Sequence, residues 1–307
     1  MRKNTVNLFI MIILGLGFWM STPKITFAAN VYMPTEVKVY TYDKNNTDNR
    51  WKHFSTRTWT RNKYGLVTKM LDKSERATDK TTLKYTYKNN LLTGVKTTHQ
   101  HNRKKAESWK DKYKYNKKNK VISHHSYNTK GKLDWKELYT YKGKKLIKKR
   151  EYNKNTLANT RKYTWRKNKP VKYTVVYQGG VKGETVTYHY KSGKISYIVD
   201  TDPDNRHKDI HRYNSHGYPT KWDEVDIDDH NTEVAYTSTI TEYKYNSKGR
   251  IRSVVTYLID NEKKIPWIKN VYSGYKKYTI PKGDPMVNNV YIYYEYPEEI
   301  ITSPIAK

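Results

Sequence analysis

The stretch Tyr243-Lys244-Tyr245-Asn246-Ser247-Lys248-Gly249-Arg250-Ile251-Arg252-Ser253-Val254-Val255-Thr256-Tyr257 decides how this chain is read. An aromatic-x-aromatic pair runs into four turn-forming residues and out into a second alternating segment. Side chains alternate across a strand, so Tyr243 and Tyr245 share one face and Lys244 takes the other. Asn246 and Gly249 tolerate the positive φ that a tight reversal requires. On the return, Ile251, Ser253, Val255 and Tyr257 again share a face. The stretch is a β-hairpin with an aromatic side and a polar side.

The unit recurs. Tyr85-Thr86-Tyr87 precedes Leu92, Tyr113-Lys114-Tyr115 precedes Val121, and Tyr139-Thr140-Tyr141 precedes Leu146. Tyr163-Thr164-Trp165 precedes Val171, and Tyr188-His189-Tyr190 precedes Ile195. Degenerate copies lie at Trp59 and Tyr213, and Tyr40-Thr41-Tyr42 is a candidate edge copy. The second aromatic returns at intervals of 23 to 32 residues. Such variable spacing suits hairpins with elastic loops better than a rigid solenoid. Strand-forming Tyr, Thr, Val, Ile and Trp dominate, and no long amphipathic helix is visible. The expected fold is all-β, an antiparallel meander of Tyr-rich hairpins forming a curved sheet or a partly closed barrel. Its aromatic face requires cover, and its other face carries Lys, Arg, Thr and Asn. Residues 30–58 read as N-terminal edge strands. Residues 59–258 read as the repeats, with an acidic insertion at 200–233. Residues 259–307 read as C-terminal strands and tail.

Tyr245-Asn246-Ser247-Lys248-Gly249-Arg250-Ile251 and Tyr127-Asn128-Thr129-Lys130-Gly131-Lys132-Leu133 resemble the tyrosine–aspartate (YD) repeat of Rhs-type secreted bacterial proteins. The resemblance covers most of residues 59–258. It implies a long curved antiparallel sheet and names no activity. In composition and N-terminal signal the chain also resembles small basic wall-associated proteins of Gram-positive bacteria.

Composition narrows the function. The 307 residues hold 60 Lys+Arg against 29 Asp+Glu, a formal charge of +31, with 31 Tyr, 4 Phe and no Cys. Without cysteine there is no disulfide framework, thiolate zinc site or thiol nucleophile. At 14% aromatic residues the chain is not a disordered polymer. Arg2 and Lys3, the apolar run Leu8 to Met20, Pro23 and the small residues Ala28 and Ala29 form a secretory signal over residues 1–29. That run is short of the ~20 residues that span a bilayer. Cleavage removes Arg2, Lys3 and Lys24 and no acid, so nearly all the positive charge stays on the exported protein. No integral membrane span, lipid anchor or wall-sorting tail is expected after cleavage.

Ten of the 29 acids fall between Asp200 and Glu233. Asp200-Thr201-Asp202-Pro203-Asp204-Asn205 resembles the start of a calcium loop but lacks its glycine, and His211 stands where a bidentate Glu belongs. Asp200, Asp202, Asp204, His207, Asp209 and His211 are therefore weak metal candidates, and the simpler reading is a solvated acidic loop. No nucleophile elbow or phosphate-binding loop occurs. Glu242 and Glu295 are not distinguished as a glycosidase pair. The expectation is a non-enzyme without a cofactor.

A broad lysine surface outside a cell points to polyanions. Lysine offers point charges to phosphates rather than the forked geometry of arginine. The candidate binding residues are Lys112, Lys114, Lys117, Lys118, Lys144, Lys145, Lys148, Lys149 and Arg150. The expected partner is an anionic cell-wall polymer, teichoic acid or another anionic glycan, with non-specific nucleic-acid binding as a secondary property. Trp135, Trp165 and Trp222 are candidates for stacking on sugars in a glycan-binding adhesin. A secreted toxin or bacteriocin-like factor is the third reading.

Overall fold

The computed structural model describes residues 29–43, 51–62, 65–88, 91–228 and 232–280. The expected signal peptide, apart from Ala29, and the tail with Glu295 lie outside the described residues. The chain forms β1 (Ala29–Met33), β2 (Glu36–Tyr42), β3 (Trp51–Arg61), β4 (Val67–Ser74), β5 (Thr78–Lys88), β6 (Leu91–His101) and β7 (Glu107–Tyr115). It continues with β8 (Val121–Tyr127), β9 (Leu133–Lys142), β10 (Lys145–Asn153), β11 (Thr156–Arg166), β12 (Lys169–Tyr177), β13 (Lys182–Lys191) and β14 (Lys194–Thr201). The last strands are β15 (His207–Tyr213), β16 (Pro219–Ile227), β17 (Glu233–Tyr245), β18 (Ile251–Asp260), β19 (Lys263–Ser273) and β20 (Lys276–Ile280).

Strands β2 to β19 pair antiparallel in chain order, and β19 pairs back onto β2 to close an 18-stranded barrel. The all-β meander is thus a closed one. Closure removes both sheet edges, which would otherwise present unpaired backbone groups. Within the acid-rich stretch, β15 and β16 pair with each other and with β14 and β17 as staves of the barrel. The two terminal regions leave the barrel together as the separate ribbon β1–β20.

Local chemistry explains the reversals. Asn116, Asn128, Asn214 and Asn246 each accept, through the side-chain oxygen, the backbone N–H groups two and four residues on. This caps the turn without help from the rest of the fold. Gly249 takes φ 69° to complete the turn after Asn246, and Asn119 takes φ 57° at the equivalent place after Asn116.

The aromatic-x-aromatic pairs end β5, β7, β9, β11, β13 and β17, at one end of the barrel, and the degenerate copy at Tyr213 ends β15 there. There the rings form a ladder from hairpin to hairpin. Tyr115 Oη donates to the Leu92 carbonyl at 2.6 Å, Trp165 Nε1 to Leu146 at 2.7 Å, Tyr190 Oη to Pro170 at 2.7 Å and Tyr243 Oη to Pro219 at 2.7 Å. Tyr85 donates likewise to the Val67 carbonyl. Tyrosine suits this place because its ring packs while its hydroxyl satisfies a neighbouring backbone group. The ribbon joins the same end: Tyr275 donates to the Ile251 carbonyl, Arg250 lies 3.8 Å from the Tyr32 ring centroid, and Met33 and Tyr278 enter the core with Trp59, Leu66, Leu83 and Val95. Gly274 makes the bend into β20 at φ 65°, where a Cβ would lie 2.2 Å from Thr35 Oγ1.

Candidate functional site

Alternation separates two charge systems. Asp111 and Tyr113 are buried on β7 while Lys110, Lys112 and Lys114 are exposed, so the lysines occupy the outer face. The register then aligns like charges across strands. Lys84 lies opposite Lys96, and Lys96 opposite Lys110, all three exposed. Lys112 lies opposite His125, His125 opposite Lys136, and Lys136 opposite Tyr152. Lys148 faces Lys162, and Lys145 faces Lys142. Like charges directly opposite one another destabilise a sheet, so these rows are a cost that the fold carries.

Most of the cations singled out in the sequence belong to this surface. Lys112, Lys114, Lys117, Lys118 and Lys144 are exposed; Lys145, Lys148 and Arg150 are half-buried, the last two on outward positions of β10. Lys149 is the exception. It lies inside the barrel with its Nζ 2.6 Å from both Glu137 and Glu151, and is committed to them. The stacking candidates also turn inward. Trp165 belongs to the ring ladder, Trp222 stacks on His211 and donates to Asp209 at 2.7 Å, and Trp135 is in phase with inward Glu137. None of the three offers a free ring on the outer wall. Trp267, 42% exposed, is the more accessible indole.

The interior of β7 to β11 holds a second charge system. His124 is buried and stacked on Tyr113 with ring centroids 4.7 Å apart. Its Nε2 is 3.0 Å from Asp111, and its Nδ1 is 3.0 Å from Glu137. Tyr139 donates to Glu137, Asn159 donates to Glu151 at 2.8 Å, and Arg161 lies 3.6 Å from Glu151. Burial works against the imidazolium, but hydrogen bonds to Asp111 and Glu137, backed by their charge, raise its pKa to about 9. Burial would likewise raise Glu137, yet Lys149 and then His124 override it and hold the carboxyl well below the usual range. Three acids and three bases balance here. The arrangement ties five strands together and keeps its protons fixed near neutral pH.

The acid-rich staves bring together some of the metal candidates. One ligand atom each from His207, Asp209 and Glu224 lies within 4.8 Å of the others. His207 Nδ1 is 2.6 Å from Asp226, and Tyr236 donates to Glu224 at 2.9 Å. This is the donor set that could hold a divalent cation. Asp200 faces Asp209 across the register. Burial, then Glu184, Asp209 and Asp202, push its carboxyl up to about 6. Asp202 and Asp204 shape the turn into β15 instead, and His211 is occupied by Trp222.

No family model matches the chain. No curated protein matches it either. Among solved structures, a porin-like protein from Bacteroides uniformis aligns with 80% of this chain and 96% of its own, at 11% identity and a TM-score of 0.44. A TcdB2–TccC3–Cdc42 complex aligns with 81% of this chain and 17% of its own, at 13% identity and TM-score 0.33. The Photorhabdus luminescens Tc holotoxin pore aligns with 76% and 14%, at 9% identity and TM-score 0.27. These similarities are too low to carry a function across.

The interior network had a signal in the sequence that the tyrosine repeat concealed. Asp111, Glu137 and Arg161 each stand two residues before the first ring of a repeat, and so share the aromatic face. Charges in phase with rings mark a polar interior.

Proposed function

We propose that this protein is a secreted, non-catalytic binder of cell-envelope polyanions, such as teichoic acid or another anionic glycan, held by charge on the outer wall of its barrel. The observation that carries this reading is the run of exposed lysines directly opposite one another across β5, β6 and β7. Such rows are unfavourable alone, and an anion lying across the strands relieves them. Strands spaced ~4.8 Å apart set the lysines at a pitch that a phosphate-bearing chain can follow. The same lysines favour a water-facing wall, because a cation on a lipid-facing strand costs about 2–4 kcal/mol near the midplane. Among the described residues no helix is long and apolar enough to cross a membrane. The resemblance of residues 243–251 to the YD-type repeat fits a scaffold that presents a surface.

The test is a pull-down of the mature protein on purified walls with and without their teichoic acid, over a salt series. Retention is expected to need the polymer and to fall steeply between low and physiological salt. Equal binding to stripped walls, or retention in molar salt, rejects the reading. Competition by neutral sugars would favour an adhesin instead.

A further inference from the structure

The outer wall is not uniformly basic. Lys112, His125, Lys136 and Tyr152 lie opposite one another on four consecutive strands, β7 to β10. Both lysines are held over rings rather than against acids: Lys112 Nζ is 4.9 Å from the Tyr127 centroid, and Lys136 Nζ is 4.2 Å from that of Tyr152. Cation–π contact limits where each ammonium group moves while leaving its charge unneutralised. Lys112 and Lys136 are two strands apart, roughly 10 Å along the row, with the His125 ring between them. Resting on the reading above, we propose that this row is a seat for a phosphodiester group, in which Lys112 and Lys136 close on the phosphate oxygens and His125 takes up a proton as the anion binds.

The electrostatics agree. Burial, then Lys114, Lys136, His124 and Lys112, lower the His125 pKa, so the free ring is neutral at pH 7. The charged groups facing it are the lysines of β7 and β9 and buried His124 behind; Asp134, two residues from Lys136, is the acid on the same face of β9, while Glu137 points inward. An anion cancels the lysine field and raises the ring's pKa. Affinity is then highest below the free pKa and declines as pH rises through the bound one. The gain across the window is about tenfold per unit by which binding raises the pKa. The phosphodiester does not titrate in this range, so the proton belongs to the protein.

The experiment is calorimetric titration of the mature protein with synthetic poly(glycerol phosphate) near pH 6.5, in two buffers of different ionisation enthalpy. A parallel arm uses phosphatidylglycerol vesicles, which carry the same chemistry on a lipid. The expected result is net proton uptake on binding the soluble polymer. His125→Gln should abolish that uptake with binding retained, and Lys112→Gln with Lys136→Gln should weaken binding and abolish it too. Binding without proton uptake, or uptake unchanged in His125→Gln, overturns the seat while leaving the wider polyanion reading intact. Response to vesicles but not polymer reassigns the source to a lipid surface and overturns the polymer seat. No binding by either probe removes both proposals. His125 is on the outer face, so a thermal melt matching wild type is expected to show that the variant folds.

Discussion

At the scale of single residues, the decisive group is His124. Its pKa is raised from 6.5 to about 9 by Asp111 and Glu137. A raised pKa contributes stability that is fully present below the unfolded value and is lost as pH rises through the folded one. Unfolding stability should therefore decline between pH 6.5 and pH 9, by on the order of 3 kcal/mol. Urea midpoints measured across that window test this. A His124→Gln variant should start lower and stay flat, and a wild-type curve that is flat would refute the assignment. Lys149→Met is the companion change. It leaves Glu137 and Glu151 buried without their shared cation, and should cost about 3–5 kcal/mol. A loss below about 1 kcal/mol would mean that these acids are reached by water. Lys149 was indistinguishable in sequence from Lys148 and Lys145, because a run of lysines conceals which of them points inward. Only the register with Tyr139 on β9 reveals it.

At the scale of elements, the hairpin was legible almost completely. The alternation around Tyr243 and Tyr245 and the Asn–Gly reversal are local properties, and the turn closes through bonds within six residues. The ladder joining one hairpin to the next was not legible, since it pairs a ring with a carbonyl about 20 residues away in a neighbouring unit. Tyr115 tests it. Replacing Tyr115 by Phe keeps the ring and removes the bond to Leu92, for an expected loss of about 1 kcal/mol. Replacing it by Ala also removes the packing and should cost about 3–5 kcal/mol. Equal losses for the two variants in chemical denaturation would show that the hydroxyl, rather than the ring, is what the repeat conserves energetically. No loss for Phe would show the ladder to be incidental.

At the scale of the whole molecule, the question is closure. Tyr40 on β2 lies opposite Lys269 on β19, more than two hundred residues later in the chain. Antiparallel partners have Cα atoms ~4.5–5.5 Å apart, within the span of a disulfide. The protein has no native cysteine, so Tyr40→Cys with Lys269→Cys gives an unambiguous probe. Oxidation should produce an intramolecular crosslink with faster migration on a non-reducing gel, and reduction should reverse it. Crosslinks only between molecules would indicate an open sheet. The acidic stretch at 200–233 shows the same division of information. Its composition marks it as acid-rich, while the register places β15 and β16 side by side so that His207, Asp209 and Glu224 converge. The sequence by itself determined the cationic excess, the hairpin unit and its turns, because each is a matter of composition or of neighbours a few residues away. Only the tertiary structure decided that the sheet closes, which lysines face water, which tryptophans face inward, and where lysines align opposite one another. Those outcomes depend on how strands far apart in sequence fall into register, and a one-residue change in that register reverses the face of every side chain.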